Sequence, residues 1–177
     1  MKKENEDLQK KLQQKMAVGR YLTELLSAVL AKRAPRPKPD GLTWDEIRRM
    51  AKRHSVQSIA YAGAVQAAGE EASDVMEEWL LDSGMCIAQG KVQMSERSRI
   101  FRKLTGEGIR ILPLKGCVMK ELYPLPEYRQ MADLDILVDP QNVERAGRLL
   151  LDLGFSVRHA GESYHDAYEK KPWLSIE

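Results

Sequence analysis

The sequence has little cysteine, few aromatic residues and no dominant charge sign. Its two cysteines, Cys86 and Cys117, stand far apart and lack the spacing of a metal-ligand motif. This pattern excludes a disulfide scaffold and predicts reduced thiols of an intracellular protein. Aromatic residues make up 6% of the chain, and the formal net charge is only +2. Such a balance gives no support for a dedicated nucleic-acid surface.

Long apolar runs are also missing. No stretch is long enough to cross a bilayer, and the charged N-terminus is unlike a signal peptide. We therefore expect no membrane contact and a location in the cytoplasm. What is present suffices for a folded core, because 43% of the 177 residues are hydrophobic and 31% are charged. The length suits one domain, or one domain with a helical extension.

Residues 1–33 predict one long helix that forms an N-terminal arm. Its first half is almost entirely polar and helix-forming. Apolar residues further on fit heptad positions, but Lys15 and Gly19 interrupt that seam. We expect a solvated arm whose second half, residues 21–30, packs on the rest of the protein. A homodimer through this helix is the alternative.

In residues 34–40, every second residue from 35 to 39 is proline, and this pattern predicts an extended linker. A helical region over residues 41–106 follows it. Its first helix carries a capping box, Thr43 with Glu46, and Gly69 ends the second. The third is expected to break near Gly84 or Gly90. The three predicted helices cover residues 44–54, 56–68 and 73–104.

Residues 107–177 change pattern and predict a small α/β core. Short apolar runs bounded by glycine and proline alternate here with helical spacing. We expect the fold class α+β, with a helical N-terminal half followed by a small mixed β-sheet with flanking helices. Strands are predicted over residues 109–114, 131–139, 155–158, 163–168 and 173–177, and helices over 117–122 and 140–153.

The organising stretch of this core is residues 131–139. Leu134, Ile136 and Val138 alternate with Asp133 and Asp135, so one strand face is apolar and the other acidic. Neighbouring carboxylates repel each other and resist desolvation, and a divalent cation relieves both effects. The pattern indicates a magnesium site, or alternatively an edge strand with a solvated polar face.

Other residues of the core suit phosphate chemistry. Gly116, at a strand-to-helix turn, allows backbone amides to approach phosphate oxygens. Lys115 beside it supplies a positive charge. Arg129 is a candidate for steadying a triphosphate, or for an ion pair with Glu127 or Asp133. Two loop-like residues, His165 and Asp166, either contact substrate or belong to an ordinary polar loop, and Cys117 is interpreted as a packing thiol.

Together these residues resemble a known family. The motifs at residues 114–116, 123–124, 129 and 133–138 look like the uncharacterised nucleotidyltransferase family of the DNA polymerase β-like superfamily. The resemblance implies that Lys115 and Gly116 form the nucleotide phosphate turn. It also implies that Asp133, Asp135 and Glu177 are the catalytic carboxylates that bind Mg²⁺ or Mn²⁺. The turn departs from the superfamily, where Gly-Gly or Gly-Ser is commoner.

The activity implied by this resemblance is metal-dependent transfer of a nucleoside monophosphate from an NTP to an acceptor hydroxyl. The acceptor would be a small molecule, a protein or an RNA end. One alternative is a degenerate member that binds nucleotide and regulates a partner without catalysis. Another is a helical interaction protein whose α/β half is structural. Family members usually continue beyond the position of Glu177, so we expect a fragment truncated at the C-terminus.

Overall fold

The computed structural model describes residues 2–69, 74–161, 165–172 and 174–177. Within these ranges the chain forms two compact units, residues 1–87 and 88–177, with the boundary inside helix α4. The predicted starts of a helix at residue 73 and of strands at residues 163 and 173 lie outside the described residues. The helices are α1 (Lys2–Leu30), α2 (Trp44–Arg53), α3 (Gln57–Ala68), α4 (Asp74–Gly106), α5 (Gly116–Met119) and α6 (Val143–Asp152). The strands are β1 (Ile111–Pro113), β2 (Ile136–Val138), β3 (Ser156–His159), β4 (Ala167–Lys170) and β5 (Leu174–Ile176).

Helix α1 has an exposed first half and a buried second half, as predicted. Leu8 and Leu12 keep 66% and 57% of their surface exposed, whereas Leu22 and Leu25 belong to the core of the first unit. Its other buried members are Val18, Tyr21, Leu42, Trp44, Ile47, Ala51, Ala60, Ala64, Met76 and Trp79. The switch along one helix follows from its composition, because apolar residues are much more frequent in the second half than in the first. The homodimer through α1 stays a prediction.

The predicted capping box opens α2. The Thr43 side chain accepts a hydrogen bond from the Glu46 amide at 3.2 Å, and the Glu46 carboxylate accepts one from the Thr43 amide at 3.0 Å. Each partner thereby satisfies a backbone donor that a helix start leaves unpaired. His54 is the C-cap of this helix, so this histidine has a structural position.

The predicted break in the third helix is wrong. Helix α4 runs without interruption through Gly84 and Gly90, because a single glycine costs a helix only about 1 kcal/mol and packing easily offsets it. Gly90 has a packing reason: a Cβ there would lie 3.3 Å from Cα of Glu127. Val92 of the same helix is 39% exposed, whereas its neighbour Gln93 is buried.

The five strands of the second unit form the predicted mixed sheet. β1 pairs antiparallel with β2, and β3, β4 and β5 form an antiparallel set. A parallel bridge between Leu134 and Ile176 joins the two sets. The strand order is therefore β1-β2-β5-β4-β3, with β2 and β5 in the middle.

One apolar core lies against this sheet. Leu134, two residues before β2, and Ile176 of β5 are 2% and 1% exposed, and they share this core with Ala146 and Leu150 of α6. The remaining buried members are Ile100, Leu104, Ile109, Cys117, Leu149, Leu153, Phe155, Tyr168 and Leu174. The alternation seen in the sequence thus becomes a buried face and an open face of the same strands.

The residue before the predicted helix over 140–153 does not cap it with its side chain. That residue is Asp139, whose carboxylate accepts two hydrogen bonds from Arg110, at 3.0 and 3.1 Å. Of the strand predicted over residues 163–168, the first two residues lie outside the described part of the chain, residues 165 and 166 are not in a strand, and β4 begins at Ala167. The Asp166 carboxylate accepts a hydrogen bond from the Gly161 amide at 2.8 Å.

In the described part of the chain, no helix is long and apolar enough to cross a membrane.

Two glycines of the first unit make a matched pair for testing its packing. A Cβ at Gly63 would lie 2.9 Å from the carbonyl oxygen of Leu25, whereas one at Gly84 would meet nothing within 4 Å. Gly84→Ala should raise the free energy of unfolding by up to about 1 kcal/mol through helix propensity. Gly63→Ala should lower it by roughly 1–3 kcal/mol, because backbone must move to admit the methyl group. Urea unfolding of both variants checks this, and equal stabilisation by both would show that α1 and α3 do not pack so closely.

Candidate functional site

The strand register brings the three predicted carboxylates together. The Leu134 amide donates to the Ser175 carbonyl at 2.9 Å, and the Glu177 amide donates to the Leu134 carbonyl at 2.9 Å. With Leu134 and Ile176 facing the core, the neighbouring residues point to the opposite face. Asp133, Asp135 and Glu177 therefore share one open face of the sheet, although more than 40 positions separate Glu177 from the pair.

These three residues form a compact acidic trio. One carboxylate oxygen from each can be chosen so that all three lie within 4.8 Å of one another. The Asp135 side chain is 12% exposed and that of Glu177 is 26% exposed. Three like charges this close are unfavourable without a counter-ion. Carboxylate oxygens converging on one point are the ligands that Mg²⁺ and Mn²⁺ prefer, so the trio fits such an ion.

The Lys115–Gly116 turn lies directly beside the trio. The Leu114 amide donates to the Asp135 carbonyl at 3.0 Å, which fixes the turn to the acidic strand. Lys115 has φ +45° and ψ −115°, a conformation that glycine adopts easily and lysine rarely. Its ammonium donates to Asp135 Oδ1 at 2.6 Å. The hydrogen bond and the charge of Asp135 raise the pKa of Lys115, and Asp133 and Glu177 add to the effect.

Gly116 is buried at the start of α5 and leaves no room for a side chain. A Cβ there would lie 2.7 Å from Met131 Sδ and 3.8 Å from Arg129 Nη2. The structure thus places the guanidinium of Arg129 close to the turn. Arg129 Nε is buried and has no hydrogen-bond partner among the described residues. Among the described residues, Arg129 forms neither of the two predicted ion pairs, the one with Glu127 or the one with Asp133.

Beneath the turn lies a residue that the sequence did not single out. Lys120 is fully buried, and its ammonium donates to the carbonyl oxygens of Arg129 at 2.7 Å and Pro126 at 3.4 Å. These bonds hold the loop that carries Arg129. Removal from water lowers the pKa of Lys120, and the charges of Arg129 and Arg97 lower it further. No spacing rule distinguishes this lysine from its exposed neighbours in the sequence, so its role emerges only from the tertiary structure.

Helix α4 supports the same layer through two polar contacts. Arg97 donates to the Cys117 carbonyl at 2.8 Å, and Gln93 donates to the Met131 carbonyl at 3.0 Å. Cys117 is 2% exposed, and burial raises the pKa of its thiol. The prediction of a packing thiol at this position is confirmed, because a raised pKa and burial both oppose thiolate reactivity.

An open cleft of about 500 Å³ is lined by Lys115 of the turn and by two members of the trio, Asp135 and Glu177. His165 also lines it, and the rest of the lining is mostly apolar. His165 Nε2 lies 3.6 Å from a Glu177 carboxylate oxygen, and its ring contacts that of His159 edge to face. The remaining lining residues are Leu114, Ile136, Leu137, Val138, Val143, Ala146, Gly147, Leu150, Asp166, Tyr168 and Ile176.

An acidic trio on a mixed sheet, next to a strand–turn–helix, is the arrangement expected of a nucleotidyltransferase. The family model described as uncharacterised nucleotidyltransferase matches residues 40–177. Because the match covers most of the chain, this chain belongs to that family, whose name implies an NTP substrate and an acceptor. No curated protein and no solved structure matches the chain significantly.

The buried Lys120 predicts a pH dependence of stability. Its pKa in the folded chain lies below the ordinary value of 10.5, so over the window between these values the unfolded chain binds more protons. Stability should therefore rise as pH increases toward 10.5. Lys120→Met removes the titrating group. The free energy of unfolding of wild type minus that of the variant should therefore increase as the pH rises toward 10.5.

Urea titrations at several pH values measure this difference, with Lys91→Met, an exposed lysine on α4, as the control. For the control, we expect the difference in free energy of unfolding between wild type and variant to stay constant with pH. The same constancy for Lys120→Met would show that the fold does not destabilise the buried ammonium.

Proposed function

We propose that this chain is a metal-dependent nucleotidyltransferase that moves a nucleoside monophosphate from an NTP to an acceptor hydroxyl. The acidic trio carries the proposal, since three carboxylates with oxygens within 4.8 Å of one another lie against the Lys115–Gly116 turn. Catalytic roles are proposed for Asp133, Asp135 and Glu177, and nucleotide binding for Lys115, Gly116 and Arg129. The acceptor is a small molecule, a protein or an RNA end.

The trio would hold Mg²⁺ or Mn²⁺ through one oxygen from each residue. A bound divalent ion supplies charge neutralisation for the phosphates and activates the attacking oxygen. Asp135 suits the role of a fixed ligand, because little of its side chain is exposed and backbone hydrogen bonds hold the chain on both sides of it. Its carbonyl accepts from Leu114, and the next residue, Ile136, donates to the Glu177 carbonyl at 2.8 Å.

The turn and Arg129 would hold the triphosphate. Without a side chain at Gly116, phosphate oxygens can approach the backbone amides of the turn. Lys115 supplies a mobile positive charge, because its side chain is 72% exposed. Arg129 lies near the same turn with an unsatisfied Nε, and a guanidinium is suited to bind phosphate oxygens in pairs.

The reaction follows from this placement. The acceptor hydroxyl oxygen would attack the α-phosphorus, forming a new P–O bond as the bond to the β-phosphate breaks and pyrophosphate leaves. A carboxylate of the trio would accept the hydroxyl proton. Glu177 suits this step better than Asp135, since more of its side chain is exposed. Positioning and charge stabilisation would account for most of the rate effect.

A charge-matched pair of variants tests the metal site. Wild type should gain thermal stability when ATP and Mg²⁺ or Mn²⁺ are added together, by about 2.7 kcal/mol at a hundredfold excess over Kd. The double variant Asp133→Asn with Asp135→Asn should lose this gain and release no pyrophosphate. The control, Glu144→Gln with Asp152→Asn, removes two charges from exposed positions on α6 and should behave as wild type. Equal gains in all three proteins would contradict shared metal binding.

Gly116 provides a test of the phosphate turn. Gly116→Ala should weaken ATP binding at least about tenfold by obstructing backbone approach. Because the new Cβ would also strike Met131, the second variant combines Gly116→Ala with Met131→Ala, which removes that clash. Restored stability with ATP affinity still lost, measured by calorimetry, is the expected result. If Met131→Ala restores ATP affinity as well, Gly116 serves packing rather than phosphate binding.

A degenerate member that binds nucleotide without catalysis is the second candidate. It is favoured by the Lys115 ammonium, which occupies an Asp135 oxygen that a metal would use. Incubation with mixed NTPs, metal and candidate acceptors separates the two functions. Nucleotide binding without pyrophosphate release supports the degenerate member, and release that depends on the trio supports the enzyme.

A further inference from the structure

We propose that Lys115 acts as a counter-ion latch that makes metal binding at the trio depend on the nucleotide triphosphate. This inference rests on the proposed function and adds an order of binding to it. The latch is the ion pair between Lys115 Nζ and Asp135 Oδ1, at 2.6 Å. The metal then binds well only together with phosphates that give Lys115 a new partner.

The first support is electrostatic. Asp133, Asp135 and Glu177 place three carboxylates within reach of one cation. Among the lysine and arginine side chains that the structure describes, Lys115 alone forms an ion pair with a member of this trio. Its ammonium therefore occupies the role that a metal ion would otherwise fill.

The second support is conformational. Lys115 is one of three described non-glycine residues with positive φ. With ψ near −115°, it lies outside the small left-handed region that other residues tolerate. Strain of this kind persists where surrounding contacts maintain it. The backbone hydrogen bonds from Leu114 to the Asp135 carbonyl and from Met119 to the Lys115 carbonyl are such contacts. The resulting backbone directs the Lys115 side chain over the trio.

Exposure determines which partner can move. The Lys115 side chain is 72% exposed, whereas that of Asp135 is 12% exposed. The lysine can therefore swing into solvent or onto a phosphate without disturbing the fold, and the carboxylate stays in place. A salt bridge this exposed contributes little to stability. Breaking it therefore requires little free energy once another anion is available.

The consequence is positive coupling between metal and triphosphate. A metal ion alone must displace Lys115 from Asp135 and then remain near a like charge. A metal–triphosphate complex brings anionic oxygens that accept the displaced ammonium. By linkage, metal and nucleotide strengthen each other's binding by the same factor. Such a site selects the metal–NTP complex over the free divalent ion.

Binding measurements on the full chain test this without any readout of catalysis. Mn²⁺ affinity, measured by calorimetry and by the EPR signal of free Mn²⁺, is compared with and without a non-hydrolysable ATP analogue. Lys115→Met should bind Mn²⁺ alone about three- to tenfold more tightly than wild type, because a competing cation is gone. It should also lose most of the strengthening by nucleotide. Lys115→Arg keeps the cation and should resemble wild type.

Arg110→Met is the matched control. It removes one positive charge and one ion pair, to Asp139 at 3.0 Å, from outside the trio. Equal Mn²⁺ affinity of wild type and Lys115→Met overturns the latch, and so does an equal rise in Arg110→Met, which indicates a general charge effect. Failure of the proposed function looks different: neither wild type nor Lys115→Met would bind Mn²⁺ in a way that Asp135→Asn abolishes.

Discussion

The parallel pairing of the residue 134 segment with β5 is the contact on which the second unit depends. Three backbone hydrogen bonds, all between 2.8 and 2.9 Å, join Leu134 and Ile136 to Ser175 and Glu177. They merge two antiparallel sets into one sheet and place Leu134 beside Ile176 in the core. Because side chains alternate along a strand, the same bonds put Glu177 next to Asp135 on the other face. A shift of one residue would bury the acids and expose the core.

The site is built as two layers with opposite requirements. Its upper layer concentrates negative charge in the trio, with Lys115 as the cation in contact with it. In its lower layer, backbone carbonyls around the turn are hydrogen-bonded, since Lys120, Arg97 and Gln93 all donate to them. Burying a lysine for this purpose is costly, and its lowered pKa reflects that cost. The charged groups of the upper layer thus have a fixed support, while Lys115 itself remains free to move.

Much of this arrangement can be predicted from sequence, for identifiable reasons. Alternation at residues 133–138 reports the two faces of a strand, and the Thr43–Glu46 pattern reports a helix start, because both signals are local. The family resemblance supplies the order of the motifs. The continuity of α4 could not be read in this way, since Gly90 follows from contact with Glu127, far along the chain. Lys120, the Arg129 guanidinium and the Lys115–Asp135 pair likewise depend on which loops meet in space.

The lysine at the turn combines an unusual backbone conformation with a charged side chain. A glycine at residue 115 would adopt φ +45° without strain and would leave the trio bare. A lysine accepts the strain and contributes a cation that reaches Asp135 at 2.6 Å. The two features depend on each other, because the unusual backbone directs the side chain toward the trio. Under the proposed function, the departure from Gly-Gly or Gly-Ser changes how the acidic trio is neutralised, and the proposed phosphate turn keeps a glycine at residue 116.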